Sequence, residues 1–134
     1  MSQVTVQGLV QDLREALALE PLDELPARPV PVLAPDAHRP GMALMGFAEN
    51  FLPSRIQVFG ESETAYLATL DAEAQRVAVG RVLALDPPVI FIAMTQDVPP
   101  GVLVAARERG CPLVRTRLPA VESMTELAHQ LERR

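Results

Sequence analysis

The sequence contains no lysine and no tryptophan, so each of its 12 basic residues is an arginine. A chain without lysine has no lysine base, no Schiff-base lysine and no lysine for a phosphate-binding loop. The glycine patterns of such loops, GxxxxGK[ST] and GxGxxG, are also absent from the sequence, as are the GxSxG, HExxH and DFG motifs. The sequence therefore shows no catalytic motif of its own.

Cysteine and histidine are equally scarce. Cys111 is the single cysteine, which excludes an intramolecular disulfide and a CxxC metal motif. His38 and His129 lie far apart in the sequence and fit no zinc-ligand spacing. Cys111 opens the strand-like stretch CPLVRT, which favours a small core residue over a reactive thiol. We expect neither a metal site nor a catalytic residue.

The charge balance is acidic, with 17 acidic residues and a formal net charge of −5. The arginines are scattered and form no basic stripe, so nucleic acid is an unexpected partner. The longest apolar runs, such as VIFIAM, are too short to cross a bilayer, and the amino terminus lacks a signal-peptide pattern. We expect a cytoplasmic protein without a membrane partner.

Length and hydrophobic periodicity predict one α/β domain over residues 1–134. The pattern predicts helices near 5–18, 61–69, 72–84, 100–109 and 122–132, and strands near 30–34, 56–60, 89–94 and 113–116. The continuous apolar run VIFIAM is typical of a strand buried on both faces of a parallel sheet. We therefore expect a mostly parallel sheet flanked by helices in a three-layer-like arrangement.

Several residues predict where helices begin and end. Thr5 and Asp71 are placed to cap the starts of the first and third predicted helices. Gly110 is placed to end the fourth, where a positive φ is needed. Ser123 and Glu126 stand three residues apart, as in a capping box.

The stretch VFGESE is the one place with the physical character of a site. A strand ends there in glycine and the chain enters a helix, so backbone N–H groups can face an anion. An arginine nearby can add charge-assisted hydrogen bonds. The candidate ligand-binding residues are Arg39, Gly41, Arg55, Gly60, Glu61 and Ser62.

A structural interpretation of the same residues stands beside the functional one. Glu61 and Glu63 would repel an anion, and a serine between acidic residues is ordinary at a helix start. The RPG stretch fits a type II turn with Pro40 and Gly41 in its central positions. The aromatic residues that follow are interpreted as core anchors, namely Phe47 and Phe51.

The order of three segments carries a family resemblance. RPGMALMGF is followed by RIQVFGESETAYL and then by DPPVIFIAMTQDVPPGVLVAARERGCPLVRT, and this series resembles the amino-terminal domain of bacterial HPr kinase/phosphorylase. The matching positions span nearly the whole chain and are Arg39, Pro40, Gly41, Phe47, Phe51, Arg55, Ile56, Gln57, Gly60, Glu63, Pro99, Pro100, Gly110, Pro112, Leu113, Arg115 and Thr116.

The resemblance implies a regulatory protein of bacterial carbon catabolite repression and the phosphotransferase system. Proteins of this family phosphorylate a serine of the phosphocarrier HPr with ATP or pyrophosphate and Mg²⁺, and remove that phosphate by phosphorolysis. Catalysis belongs to a carboxyl-terminal domain, and the family enzyme is a hexamer. We expect this chain to be the amino-terminal domain without the catalytic domain, with no cofactor of its own.

The family's amino-terminal domain is also similar in fold to the first domain of the Mur ligases, which holds a uridine nucleotide. Fold similarity does not fix function, so three hypotheses stay open. The first is a non-catalytic assembly domain that contacts the catalytic domain and other subunits. The second is a binding module for a nucleotide or phosphorylated sugar, and the third is a stand-alone interaction protein.

Overall fold

A computed structural model describes residues 4–22, 24–32, 37–46, 55–93 and 98–132 of the chain. Six helices lie in this part of the chain: α1 (Val6–Leu13), α2 (Gly41–Leu44), α3 (Glu61–Ala68), α4 (Ala72–Leu83), α5 (Pro100–Arg109) and α6 (Ala120–Glu132). Five strands accompany them: β1 (Glu20–Pro21), β2 (Ala37–His38), β3 (Ile56–Phe59), β4 (Ile90–Ile92) and β5 (Leu113–Arg115). The predicted α/β class is confirmed.

The strands form one sheet in the order β1-β5-β4-β3-β2. The four strands from β2 to β5 are parallel neighbours in chain order, and β1 closes the far edge antiparallel to β5. The central strands β3 and β4 are buried along their whole length. The continuous apolar sequence of β4 follows from this position, because helices cover both faces of the sheet, whereas β3 also carries the buried polar residue Gln57.

Two hydrophobic cores lie on the two faces of the sheet, which gives the expected three layers. On one face, α1 and α6 pack against the side chains of Ile56, Val58, Phe91 and Val114. On the other face, α2, α3, α4 and α5 pack against Phe59, Ile90, Ile92 and Leu113. Neighbouring residues along β3 and β4 face opposite cores, because successive side chains of a strand point to opposite faces of the sheet.

The helices with strong end signals lie where the sequence predicts them. The side chain of Thr5 accepts a hydrogen bond from the Gly8 N–H at 3.1 Å, and that of Asp71 accepts one from the Ala74 N–H at 2.8 Å. Gly110 ends α5 with a φ of 66°. These three predicted caps are confirmed.

The first predicted helix is too long. Helix α1 ends at Leu13, and residues 14–18 form turns in which Ala18 has a φ of 49°. The apolar spacing continues past the helix because Leu17 is still fully buried in the same core. The hydrophobic spacing thus marks residues that are buried, and it continues to Leu17 although the helix ends at Leu13.

The prediction of a strand near 30–34 is wrong for its described part. Pro31 forms only an isolated antiparallel bridge with Thr5, and residues 33–34 lie outside the described part of the chain. The edge of the sheet is formed instead by β2, and β1 at the opposite edge was not predicted. Both edge strands have two residues, too few for an alternating pattern to show.

Two predicted local motifs are also wrong. Gly41 opens α2 and has no positive φ, whereas a type II turn requires one at that position. Ser123 lies inside α6, where its hydroxyl donates to the Pro119 carbonyl at 2.9 Å, so it does not form a capping box with Glu126. Phe47 and Phe51 lie outside the described residues.

The side chain of Gln75 joins three consecutive helices. From α4, its Nε2 donates to the carbonyl of Leu67 at 2.9 Å and to that of Leu70 at 3.2 Å, at the end of α3. Its Oε1 accepts from the Gly101 N–H at 3.0 Å, in the first turn of α5. The amide therefore satisfies backbone groups that helix ends leave without intrahelical partners.

Candidate functional site

The candidate site lies at the carboxyl end of β3. Arg39 follows β2, and Gly60 follows β3 and precedes α3. Because β2 and β3 are parallel, their carboxyl ends lie at the same edge of the sheet. The topology therefore brings Arg39 to the first turn of α3, where Ser62 and Glu63 stand.

The guanidinium of Arg39 is bound to Glu63. Its Nε and Nη2 lie 2.9 Å and 2.8 Å from Oε1 of Glu63, and Nη2 also lies 2.9 Å from Oγ of Ser62. The Glu63 side chain is only 5% exposed, whereas that of Arg39 is 32% exposed. A buried carboxylate needs such charge-assisted partners to offset its lost hydration.

The same carboxylate also binds the backbone at the helix start. Oε1 of Glu63 accepts the Gly60 N–H at 2.7 Å. This contact is one half of a capping box, and Gly60 has no side chain to supply the other half. The hydroxyl of Ser62 donates to Oε2 of Glu63 at 3.4 Å. Glu63 is thus the centre of a small network, which we call the Arg39–Glu63 clasp (Arg39, Gly60, Ser62 and Glu63).

Gly60 is required by close approach. Its φ of −102° is open to any residue, but a Cβ there would lie 2.6 Å from Nη2 of Arg39 and 2.9 Å from Cβ of Ala120. A side chain at this position would displace the arginine from the clasp. A Cβ at Gly41 would likewise lie 3.2 Å from Oε2 of Glu63. Both glycines of the candidate set thus adjoin the clasp.

An open cleft of about 300 Å³ borders the clasp. It lies between the first turns of α3 and α6 and is lined by Arg39, Glu61, Ser62, Pro119, Ala120 and Val121. Two helix amino termini therefore face one concave surface, a position that favours negative charge. Glu61 opposes that tendency with its own carboxylate.

Arg55 is separated from the other candidate residues. It precedes β3, whereas Gly60 follows that strand, so about 16 Å of extended chain separates them. Its backbone carbonyl accepts from Nε2 of the fully buried Gln57 at 3.0 Å. The structure brings together Arg39, Gly41, Gly60, Glu61 and Ser62, and it leaves Arg55 at the opposite end of the strand.

Sequence reasoning missed the central role of Glu63. Glu63 was expected to repel an anion and was named among the positions of the family resemblance, whereas in the structure it is the acceptor that holds Arg39. The available signal was the spacing of three residues between Gly60 and Glu63, which is that of a capping box. Its partner Arg39, which follows β2, has no sequence signal, because 24 residues separate Arg39 from Glu63.

The order of the parallel strands bears on where ligands bind. In open α/β sheets, ligands bind at the point where the strand order reverses. Strands β2 to β5 follow one another without reversal in the described sheet. In the described sheet, a reversal of strand order therefore does not mark the edge near Gly60.

The described residues contain no group of three or more His, Cys, Asp or Glu side chains arranged to hold a metal ion. The sequence supplies no lysine and no phosphate-binding loop for a nucleotide. No helix in the described ranges is long and apolar enough to span a membrane.

Cys111 is a partly buried thiol. Burial, together with the negative charge of Asp86, raises the pKa of the Cys111 thiol to about 12. Its Sγ lies 3.7 Å from the Pro87 carbonyl oxygen. The raised pKa disfavours the thiolate, which is the reactive form of a cysteine, at neutral pH.

Comparison with known proteins identifies the family. Residues 4–131 match the family described as HPr Serine kinase N terminus. The chain belongs to this family. It is 30% identical to an HPr kinase/phosphorylase of Alkaliphilus metalliredigens, over 98% of this chain and 41% of that protein. It is 33% identical to one of Chloroherpeton thalassium, over 77% of this chain and 30% of that protein. An HPr kinase/phosphorylase of Bacillus cereus is 30% identical over 91% of this chain and 40% of its own length.

The chain thus spans about two fifths of the length of the Alkaliphilus and Bacillus relatives. The match corresponds to the amino-terminal part of an HPr kinase/phosphorylase, as the resemblance implied. The expected similarity to the first domain of the Mur ligases stays a prediction.

Proposed function

We propose that this chain is the non-catalytic regulatory and assembly domain of an HPr kinase/phosphorylase. In this proposal its direct partners are the catalytic domain and neighbouring subunits of a homo-oligomer, a hexamer in the family. HPr, ATP and Mg²⁺ are engaged by the catalytic domain. The setting is cytoplasmic carbon catabolite repression.

The observation that carries the proposal is that Arg39 is hydrogen-bonded within its own chain. Three of its hydrogen bonds go to Glu63 and Ser62 of the same chain. An arginine bound in this way contributes less binding free energy to a phosphate than a free guanidinium would. The phosphate would have to compete with a buried carboxylate for its N–H groups. These contacts therefore favour a structural role for the RPG and FGESE stretches over a role in ligand binding.

The test has a catalytic arm and a binding arm. In the first, the chain is incubated with HPr, ATP and Mg²⁺, and phosphoserine is followed by mass spectrometry. A non-catalytic domain yields no phosphorylated HPr beyond the rate without protein. In the second, the chain is titrated calorimetrically with the catalytic domain of a homologous HPr kinase/phosphorylase. A regulatory domain binds it and changes the ratio of its kinase to its phosphorylase activity.

Either arm can contradict the proposal. Phosphorylation of HPr by this chain alone would show a catalytic function. If the chain neither binds the catalytic domain nor changes its ratio of kinase to phosphorylase activity, the proposed assembly role is wrong.

The cleft of about 300 Å³ favours a second candidate, a binding module for a nucleotide or phosphorylated sugar. Its lining combines the partly exposed Arg39 with Ser62 at a helix amino terminus, a setting that suits phosphate. Calorimetric titration with ATP, pyrophosphate, fructose 1,6-bisphosphate and a uridine nucleotide tests it.

The binding variants are Arg39→Ala at the cleft and Arg55→Ala at the other end of β3. Heat that is lost in Arg39→Ala and kept in Arg55→Ala would establish the cleft as the ligand site. No heat from any of the four compounds would leave the assembly role as the better account.

A further inference from the structure

A second cleft, of about 250 Å³, lies at the amino-terminal edge of the parallel strands, opposite the edge that carries the Arg39–Glu63 clasp. Pro88 comes just before β4 and Pro112 just before β5, and the Ile90 N–H donates to the Pro112 carbonyl at 3.0 Å between them. The carboxyl ends of α4 and α5 complete the cleft. We call it the amino-edge cleft (Arg28, Val30, Leu83, Asp86, Arg109 and Pro112).

Three charged side chains line the amino-edge cleft, and they come from three separate segments. Arg28 precedes α2, Asp86 follows α4, and Arg109 is the last residue of α5. Within the described ranges, the side chains of these three residues make no hydrogen bond or ion pair with the rest of the chain. The guanidinium donors and the carboxylate acceptors are therefore available to a ligand.

The two positive charges of the cleft are balanced by negative charge of two kinds. Asp86 supplies a carboxylate, and the carboxyl ends of α4 and α5 each carry roughly half a negative charge. Asp86 and Gly110, with φ of 58° and 66°, follow these helix ends in left-handed conformations. The lining is thus close to electroneutral, with its donors and acceptors on different side chains. A doubly negative phosphate ester is disfavoured there, whereas a ligand with one charge of each sign is favoured.

The remaining wall of the cleft is apolar and rigid. Val30 is half-buried and Leu83 is buried, and they lie with Pro87, Pro88 and Pro112 in the lining. A proline ring fixes its own φ, so this wall needs little reorganisation when a ligand binds. The cleft is slightly smaller than the range of about 300–1,000 Å³ that is typical for drug-sized ligands. Its size and wall therefore favour a small molecule with an apolar group.

We propose that the amino-edge cleft binds a free apolar α-amino acid. Its carboxylate lies at Arg28 and Arg109, its ammonium group lies at Asp86, and its side chain packs on the wall of valine, leucine and proline. An arginine binds a carboxylate through two parallel hydrogen bonds, which fixes the orientation of the ligand. The site is distinct from the cleft beside Arg39, and it requires neither the assembly role nor a ligand at that cleft.

Nuclear magnetic resonance of the ¹⁵N-labelled chain tests the proposal directly. The chain is titrated to millimolar concentrations with L-leucine, L-valine, L-methionine and L-phenylalanine in turn. The backbone N–H signals of Gly110 and Cys111, which line the cleft, are expected to shift in a saturable way. The N–H signal of Gly60, at the other edge of the sheet, is expected to stay in place.

Two analogues of leucine test the recognition of both charges without altering the protein. N-acetyl-L-leucine keeps the carboxylate and lacks the ammonium group, whereas L-leucinamide keeps the ammonium group and lacks the carboxylate. Each is expected to bind about tenfold or more weakly than L-leucine, because hydrogen bonds to charged groups contribute most to such a site.

Three variants test the residues of the cleft. Arg28→Gln, Arg109→Gln and Asp86→Asn are each expected to weaken L-leucine binding about tenfold or more. Asparagine tolerates the left-handed conformation of position 86, so that variant keeps the backbone. Arg14→Gln is the matched control, because Arg14 is an exposed arginine at the end of α1 and lies outside the cleft. Spectra without ligand show whether each variant is folded.

Three results would overturn the proposal. The first is the absence of shifts at Gly110 and Cys111 with all four amino acids. The second is N-acetyl-L-leucine binding as tightly as L-leucine. The third is equal affinity for L-leucine in Arg109→Gln and Arg14→Gln.

Discussion

The Nη2 atom of Arg39 lies 2.8 Å from Oε1 of Glu63, and Gly60 lies directly beside the pair. This contact joins the end of an edge strand to the first turn of the helix that follows the central strand β3. The carboxylate is buried and the guanidinium is partly exposed, so the bond is screened less by water than a surface ion pair. One acid at the third position of α3 thus joins these two elements.

Glu63→Gln is expected to destabilise the domain by about 2 kcal/mol, because it leaves Arg39 without its charge partner and keeps a similar shape. Urea denaturation of both proteins measures the difference. Glu61→Gln is the matched control, since Glu61 is exposed in the same helical turn, and it should stay within about 0.5 kcal/mol of the unaltered chain. Equal effects at the two positions would contradict a special role for Glu63.

Gly101→Ala and Gly80→Ala are expected to change stability in opposite directions. A Cβ at Gly101 would lie 2.3 Å from Cβ of Gln75 and 2.6 Å from the Ala72 carbonyl oxygen, so α4 and α5 would have to separate. The overpacking costs about 1–3 kcal/mol or more. At Gly80 the space is open, and alanine gains about 0.5–1 kcal/mol of helix propensity. Thermal melts of dilute samples measure both, and a stabilised Gly101→Ala would contradict the close crossing.

Gln75→Leu is expected to destabilise the domain by about 2 kcal/mol while keeping most of the side-chain volume. The substitution leaves the carbonyls of Leu67 and Leu70 and the N–H of Gly101 without their amide partner. The loss comes mainly from the buried Gly101 N–H, since a buried polar group without a partner costs about 1–3 kcal/mol, whereas the Leu67 carbonyl still accepts from the Leu70 N–H. Hydrogen exchange should rise at Gly101, and unchanged protection there would argue against the amide link.

Stability is expected to fall as pH rises above about 9, in part through Cys111. Its pKa is raised from 9.0 to about 12 by burial, so between these values the unfolded chain releases a proton that the folded chain keeps. The folded state then binds more protons than the unfolded state, and the free energy of unfolding decreases with pH. Cys111→Ala should show a shallower decrease between pH 9 and 11 in urea titrations. Parallel curves for the two proteins would contradict this effect.

Elements with strong local signals were predictable from the sequence. Helix α4 begins after the Asp71 cap, and α5 combines a proline in its first turn with Gly110 at its end. These signals act through the backbone within a few residues, so the sequence alone reveals them. Strand β4 was predictable because burial on both faces demands an apolar run, and β3 was predictable from its β-branched and aromatic residues.

The elements that the sequence concealed are short and depend on distant partners. Strand β1 exists because Glu20 and Pro21 pair with Arg115 and Val114, far along the chain. Strand β2 and the clasp depend on the pairing that places Arg39 beside Glu63. A strand of two residues is too short to show a hydrophobic period, and an ion pair between distant residues has no fixed spacing in the sequence. Only the folded topology therefore reveals these strands and the Arg39–Glu63 clasp.

The amide of Gln75 has a mechanical consequence. It bonds the last turn of α3, the body of α4 and the first turn of α5, while the Arg39–Glu63 clasp holds the opposite end of α3. Hydrogen bonds thereby connect the three helices to one another and to the residue that follows β2. A force that pulls Glu63 away from Arg39 would be transmitted through α3 to the start of α5.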